Sequence, residues 1–155
     1  MTSWLGSVMQ LIGAGLGFYL FYVFFLQGRH SKDFRAVINT RNGRLVSEKI
    51  STATTFVRRS TGLLNHAGLP RDEALFLSPA RRIHTCGMRF PIDLVFVERH
   101  GHIVRLFERL EPTRTQVVHD GGRRACAVLE LAAGRIEELD LREGDQLQFL
   151  PVSEG

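Results

Sequence analysis

His84 and Cys86 form the spacing in this chain that comes closest to a reactive pair. Two residues apart on a strand, their side chains point to the same face. Imidazole and thiolate bind soft metals, and an imidazole can also activate a thiolate as a nucleophile. Because a structural zinc site commonly uses two close pairs and this chain has one, the sequence favours two buried free cysteines, with no metal and no cofactor. Further ligands would have to come from Met88, His119 and Cys126.

Arg89 and Asp93 bracket the segment Phe90-Pro91-Ile92. They could form an ion pair that fixes this loop, or they could present a donor and an acceptor to a ligand. The sequence favours loop architecture over ligand contact.

Glu130 stands inside an apolar strand-like segment, Val128 to Leu131. A buried carboxylate without a partner is costly, so Glu130 requires either solvent or a partner such as an arginine. Arg59 is a candidate for a site with Glu130, and a pocket shared by Glu130 and His84 would be the strongest site hypothesis in the chain.

Short segments that alternate between apolar and polar residues must position these groups. Asn42-Gly43 predicts a hairpin of Phe34–Thr40 and Arg44–Ile50, and Arg99-His100-Gly101 predicts a second, of Leu94–Glu98 and Ile103–Leu110. The pattern indicates a mainly β fold with short helices (α+β), in which a small antiparallel sheet curls into a barrel-like domain. Helices are predicted at Thr54–Leu64 and Arg135–Leu141, and further strands at Ala74–Leu77, Ile83–Cys86, Cys126–Leu131 and Gln146–Leu150.

The amino-terminal part has a different character, because no side chain from Thr2 to Gly28 is charged. Val8 to Leu26 is apolar or glycine except for Gln10, and a helix of about 20 such residues crosses the roughly 30 Å hydrocarbon layer of a bilayer. The sequence predicts one transmembrane helix that is retained as an anchor. Gly13 and Gly17 would let another membrane helix approach closely.

Basic residues follow this segment directly, which predicts a globular domain in the cytoplasm, the amino terminus outside and a location in the inner membrane. Arg29, Lys32 and Arg35 could also contact anionic lipid headgroups. The formal charge of +4 arises between Arg29 and Arg44, and from Leu45 onward acidic and basic residues balance. The sequence therefore predicts no nucleic-acid partner.

The run from Ile83 to Val97 resembles the signature of a bacterial and archaeal family, domain of unknown function 192 (DUF192). The resemblance covers about Ser47 to Phe149, and it implies a small β-rich, barrel-like domain with no established catalytic activity. The chain departs from the family at Arg58-Arg59, where many members have Glu-Arg, and at His84-Thr85, where a common subgroup has Trp and Lys. Further matching pieces are Ala53-x-Thr55 with Arg59, Gly62-Leu63-Leu64, Leu129-Glu130-Leu131-x-x-Gly134 and Gly144-Asp145.

These observations predict four parts: an anchor helix (1–28), a basic segment with the first strand (29–46), a DUF192-like domain (47–150) and a tail (151–155). The leading hypothesis is a single-pass accessory or scaffolding subunit of a larger bacterial membrane complex, whose cytoplasmic domain is not catalytic. Its partners would be the lipid bilayer and other integral membrane subunits. The alternative is a membrane-tethered enzyme or small-ligand-binding domain that uses the loop from His84 to Asp93, with Arg59 and Glu130.

Overall fold

The structure, a computed structural model, describes residues 34–53, 63, 67–115 and 117–151, all within one compact unit that spans residues 32–155. Across these ranges, no helix has the length and apolar character that a membrane crossing requires. Several predicted features lie outside the described residues and stay predictions: the anchor with Gly13 and Gly17, the basic residues Arg29 and Lys32, most of the helix at Thr54–Leu64, and Arg59.

Ten strands and one short helix are found in the described residues. The mainly β character expected from the sequence is confirmed. The strands are β1 (Phe34–Asn39), β2 (Leu45–Ser47), β3 (Lys49–Ala53), β4 (Glu73–Leu77), β5 (Arg82–His84), β6 (Ile92–Val97), β7 (Ile103–Leu110), β8 (Val118–Asp120), β9 (Ala127–Ala132) and β10 (Leu147–Pro151), and the helix is α1 (Arg135–Glu138).

Both predicted hairpins are present. β1 pairs antiparallel with β2 across the Asn42-Gly43 turn, and β6 pairs antiparallel with β7. The second arm of the first hairpin divides at Glu48, however. β2 remains beside β1 and β10 in a three-stranded sheet, whereas β3 enters a five-stranded sheet of order β3-β4-β9-β6-β7.

The expectation of a small antiparallel, barrel-like sheet was wrong in two respects. β3 and β4 are parallel, and β3 and β7 form the two ends of the five-stranded sheet, so the sheets of the described residues do not close on themselves. Parallel neighbours require a long crossover connection, which the chain between Ala53 and Glu73 supplies. The break at Glu48 places β2 and β3 in different sheets. Local alternation of apolar and polar residues does not indicate this break.

The five-stranded sheet buries both of its faces. One face packs against the three-stranded sheet and α1 through a first apolar cluster. The opposite face carries a second cluster, which β5 and the loops around it cover in part. The first cluster includes Val37, Val95, Leu129, Ile136 and Leu147, and the second includes Leu63, Leu77, Leu94, Phe96 and Val128.

The tip of the first hairpin caps the carboxyl end of α1. The Arg44 guanidinium donates to the Glu138 carbonyl at 2.6 Å, and the Asn42 amide donates to the Leu139 carbonyl at 3.0 Å. These bonds satisfy carbonyl groups that the end of a helix leaves without partners. The helix is shorter than the predicted Arg135–Leu141, because the backbone at Asp140 has a φ of 51°. Arg44, although exposed, thus makes an intramolecular contact with α1.

Asp145 links the same hairpin to the last strand. Its buried carboxylate accepts hydrogen bonds from the Asn39 amide at 2.7 Å, the Arg41 guanidinium at 2.6 Å and the Arg142 backbone N–H at 3.1 Å. Burial alone would raise the pKa of Asp145, but the hydrogen bonds from Arg41 and Asn39 lower it below the ordinary value. The ionised form therefore stabilises the junction of β1 and β10.

We predict that Gly101→Ala destabilises the protein by about 2–4 kcal/mol. Gly101 has a φ of 86°, and a Cβ there would lie 2.4 Å from the Leu147 carbonyl oxygen. Chemical unfolding of the full chain measures the loss. Gly68→Ala is the matched control, because nothing lies within 4 Å of its added Cβ. Equal unfolding midpoints for the two variants would contradict the prediction.

Candidate functional site

β5 and β8 form a two-stranded antiparallel ribbon, with Arg82 opposite Asp120, Ile83 opposite His119 and His84 opposite Val118. Its inner side faces the domain: Ile83 packs against the second apolar cluster, and the His119 ring meets the Phe107 ring edge-on at 5.2 Å between centroids. Strand β8 was not predicted, because three residues are too few for an alternating pattern to be recognised.

The outer side of the ribbon is exposed. His84 and Val118 face solvent as a cross-strand pair, and beside them Arg82 forms an ion pair with Asp120 at 2.9 Å. Three large apolar side chains of the described residues are exposed, and two of them are adjacent here: Val117 at 43% and Val118 at 55%. These two apolar side chains lie next to the polar side chains of the ribbon, Arg82, His84 and Asp120.

The candidate metal ligands do not converge. His84 and His119 occupy successive positions of the paired ribbon and therefore point to opposite faces. The Cys86 thiol donates to the Arg114 carbonyl at 3.7 Å and the Cys126 thiol to the Val97 carbonyl at 3.6 Å. No group of three or more His, Cys, Asp or Glu side chains in the described ranges could hold a metal ion.

Both cysteines are free and half-buried, in place of the full burial expected. Burial raises the pKa of the Cys126 thiol and lowers the pKa of the His119 imidazole. Both shifts favour the uncharged form of the group.

Asp93 is completely buried, and its carboxylate accepts three backbone hydrogen bonds. Oδ1 accepts from Arg109 N–H at 2.7 Å and Gly134 N–H at 3.1 Å, and Oδ2 accepts from Ile136 N–H at 2.8 Å. Asp93 thereby caps the amino end of α1, where Gly134 has no side chain to do so, and holds the end of β7.

The loop from His84 to Asp93 thus divides into exposed and buried parts. Arg89 is exposed, and the hydrogen-bond partners of Asp93 are backbone N–H groups, so the ion pair that was one alternative for Arg89 and Asp93 is not formed. The carboxylate fixes the architecture through backbone groups instead. The sequence favoured an architectural role for this loop, but with Arg89 as the partner of Asp93 in place of the backbone N–H groups.

Glu130 lies in the middle of β9, between Leu75 of β4 and Leu94 of β6. It is 4% exposed, and its Oε2 atom has no hydrogen-bond partner among the described residues. Burial raises the pKa of Glu130 to about 8, so the carboxyl is protonated at neutral pH. His84 is exposed on the ribbon and Glu130 is buried in the sheet, and neither of two grooves found in the described residues is lined by either side chain.

Residues 37–149 match the family of proteins described as "Uncharacterized ACR", or DUF192. The chain belongs to the DUF192 family. The resemblance seen in the run Ile83–Val97 is thereby confirmed, although the family description gives no activity.

Two solved structures have the same fold as this DUF192 protein. One, from Sinorhizobium meliloti 1021, is named provisionally as a transcription regulator; it is 24% identical, with 74% of this chain and 90% of that chain covered at a TM-score of 0.63. The other, a protein of unknown function from Novosphingobium aromaticivorans DSM 12444, is 20% identical, with 73% and 81% covered at a TM-score of 0.62. No curated protein matches the chain.

Replacing Asp93 by alanine is predicted to lower the free energy of unfolding by about 3–5 kcal/mol, because three buried N–H donors lose their acceptor. His84→Ala and Arg89→Ala, at exposed positions of the same loop, should stay within about 0.5 kcal/mol of the parent protein. Denaturant titration of the three variants tests this. A stable Asp93→Ala protein would show that the carboxylate is not architectural.

We predict that, because of Glu130, the free energy of unfolding falls as the pH rises from about 4.5 to about 8. The pKa of Glu130 is raised from 4.5 to about 8 on folding, so between these values the folded state binds a proton that the unfolded state has lost. The free energy of unfolding then falls by about 1.4 kcal/mol per pH unit in this window. Glu130→Gln should remove that slope, whereas Glu108→Gln, at an exposed position, should retain it. Parallel stability profiles for the parent protein and Glu130→Gln would overturn the assignment.

Proposed function

We propose that this protein is a single-pass, membrane-anchored accessory subunit whose non-catalytic DUF192 domain docks onto another integral membrane protein through the β5–β8 ribbon. The observation that carries this proposal is the exposure of two consecutive valines, Val117 directly before β8 and Val118 within it, beside the exposed His84 of β5. Because about half of each valine is still exposed, burying it against a partner would contribute about 1 kcal/mol for each side chain.

The interior supports a binding module more than a reaction centre. In the loop from His84 to Asp93, the one carboxylate is engaged by three backbone amides. Glu130 is protonated at neutral pH, with apolar neighbours on both adjacent strands. The predicted anchor at Val8 to Leu26 supplies the reason why the partner would lie in the same membrane.

If the ribbon is the docking surface, the double variant Val117→Ser with Val118→Ser should no longer co-purify with membrane partners. The full chain is extracted gently from its native membrane, separated by size and examined by mass spectrometry for companions in stoichiometric amount. Serine retains the strand while removing apolar surface, so folding is expected to be unchanged.

Leu45→Ser is the matched control, because Leu45 is the remaining exposed large apolar side chain of the described residues, at 40%. Companions should remain with this variant. A parent protein that migrates alone, or an equal loss of companions in the Leu45 variant, would contradict docking through the ribbon.

A further inference from the structure

Three arginines near the turn Asp120–Gly122 have no ion-pair partner among the described residues. Most ion pairs of the described residues lie near α1, the first hairpin or the start of β4, and they involve Arg41, Lys49, Arg71, Arg109, Arg135 and Arg142. Arg82 pairs with Asp120, but Arg81, Arg123 and Arg124 make no ion pair in the part of the chain that the structure describes. Positive charge is therefore left uncompensated on this side of the domain.

The turn itself is fixed to the core. Gly121 N–H donates to the Arg81 carbonyl at 2.9 Å, and Gly122 N–H donates to Asp120 Oδ1 at 2.7 Å. A Cβ on Gly121 would lie 2.3 Å from the ring of Phe96, which is fully buried. The backbone that carries Arg123 and Arg124 is thus held by the domain interior and is not a free loop.

A groove of about 470 Å³ opens beside this turn. Its lining includes Arg123, Arg124 and Glu143. The volume falls within the range of small-molecule sites. Gly122 has a φ of 85°, and the backbone N–H groups of Arg123 and Arg124 that follow it have no acceptor within the described residues. Successive unpaired N–H groups after such a residue form a concave anion-binding arrangement.

We propose that this groove binds a phosphate group, held by the guanidinium groups of Arg123 and Arg124 and by their backbone N–H groups. A guanidinium matches two phosphate oxygens at once, which a single ammonium group cannot do. Asp120 does not compete for these arginines, since its carboxylate already accepts from Arg82 and from Gly122 N–H. The phosphate could belong to a small soluble molecule or to a lipid headgroup, and the chemistry of recognition is the same.

Titration of the full chain in neutral detergent with inorganic phosphate tests the site, with calorimetry as the readout. Arg123→Gln together with Arg124→Gln should weaken binding by at least about tenfold. Glu143→Gln should tighten it, because a carboxylate in the lining of the groove repels an anion. A gain of affinity cannot result from misfolding, so this variant keeps the test decisive.

Arg89→Gln together with Arg114→Gln is the matched control, because it removes the same charge at two exposed positions outside the groove. Its affinity should equal that of the parent protein. Absence of saturable phosphate binding, an equal loss in this control, or no gain in Glu143→Gln would overturn the proposal.

The source of the phosphate is distinguished by competition with water-soluble dihexanoyl phosphatidylglycerol. Displacement of inorganic phosphate by this lipid, dependent on Arg123 and Arg124, supports a headgroup site. Retention of bound phosphate in its presence supports a soluble ligand. The site does not depend on docking through the ribbon, so Val117→Ser with Val118→Ser should leave phosphate binding intact.

Discussion

The architecture depends on two central strands, β6 and β9, that are buried along their entire length and each carry a carboxyl group. Asp93 of β6 and Glu130 of β9 occupy nearly equivalent places, since Asp93 pairs with Leu131 and Glu130 with Leu94. Their side chains point to opposite faces of the sheet. Burying an ionised carboxylate without hydrogen-bond partners costs free energy, and the two side chains avoid this cost in different ways.

Asp93 meets the penalty through hydrogen bonds. Its oxygens accept from the backbone of Arg109, Gly134 and Ile136, so a single side chain joins β6 to the end of β7 and the start of α1. The other end of α1 is held by the first hairpin, and Asp145 ties that hairpin to β10. These polar contacts join segments that are far apart in the chain.

Glu130 meets the penalty by protonation. Leu75 and Leu94 lie on the neighbouring strands, and Oε2 has no hydrogen-bond partner in the part of the chain that the structure describes. The neutral acid is therefore favoured at neutral pH. The functional surfaces proposed for this domain lie elsewhere, on the β5–β8 ribbon and in the groove beside Asp120–Gly122. Neither surface requires the buried carboxyls to react, which is consistent with a binding domain supported by a polar and apolar interior.

Local sequence patterns determined the elements whose physical basis is local. Asn42-Gly43 and Arg99-His100-Gly101 identified both hairpins, because turns of this kind require backbone conformations that glycine adopts readily, and alternating residues located most strands. The run Ile83–Val97 was sufficient to identify the family. Tertiary structure alone decided the parallel pairing of β3 with β4, the placement of β2 and β3 in different sheets and the existence of β8. It also decided which charged residues are functional candidates: Asp93 accepts hydrogen bonds from backbone donors of distant segments, whereas Arg123 and Arg124 make no ion pair with any other described residue. Such pairings depend on contacts between residues far apart in sequence, and no spacing along the chain encodes them.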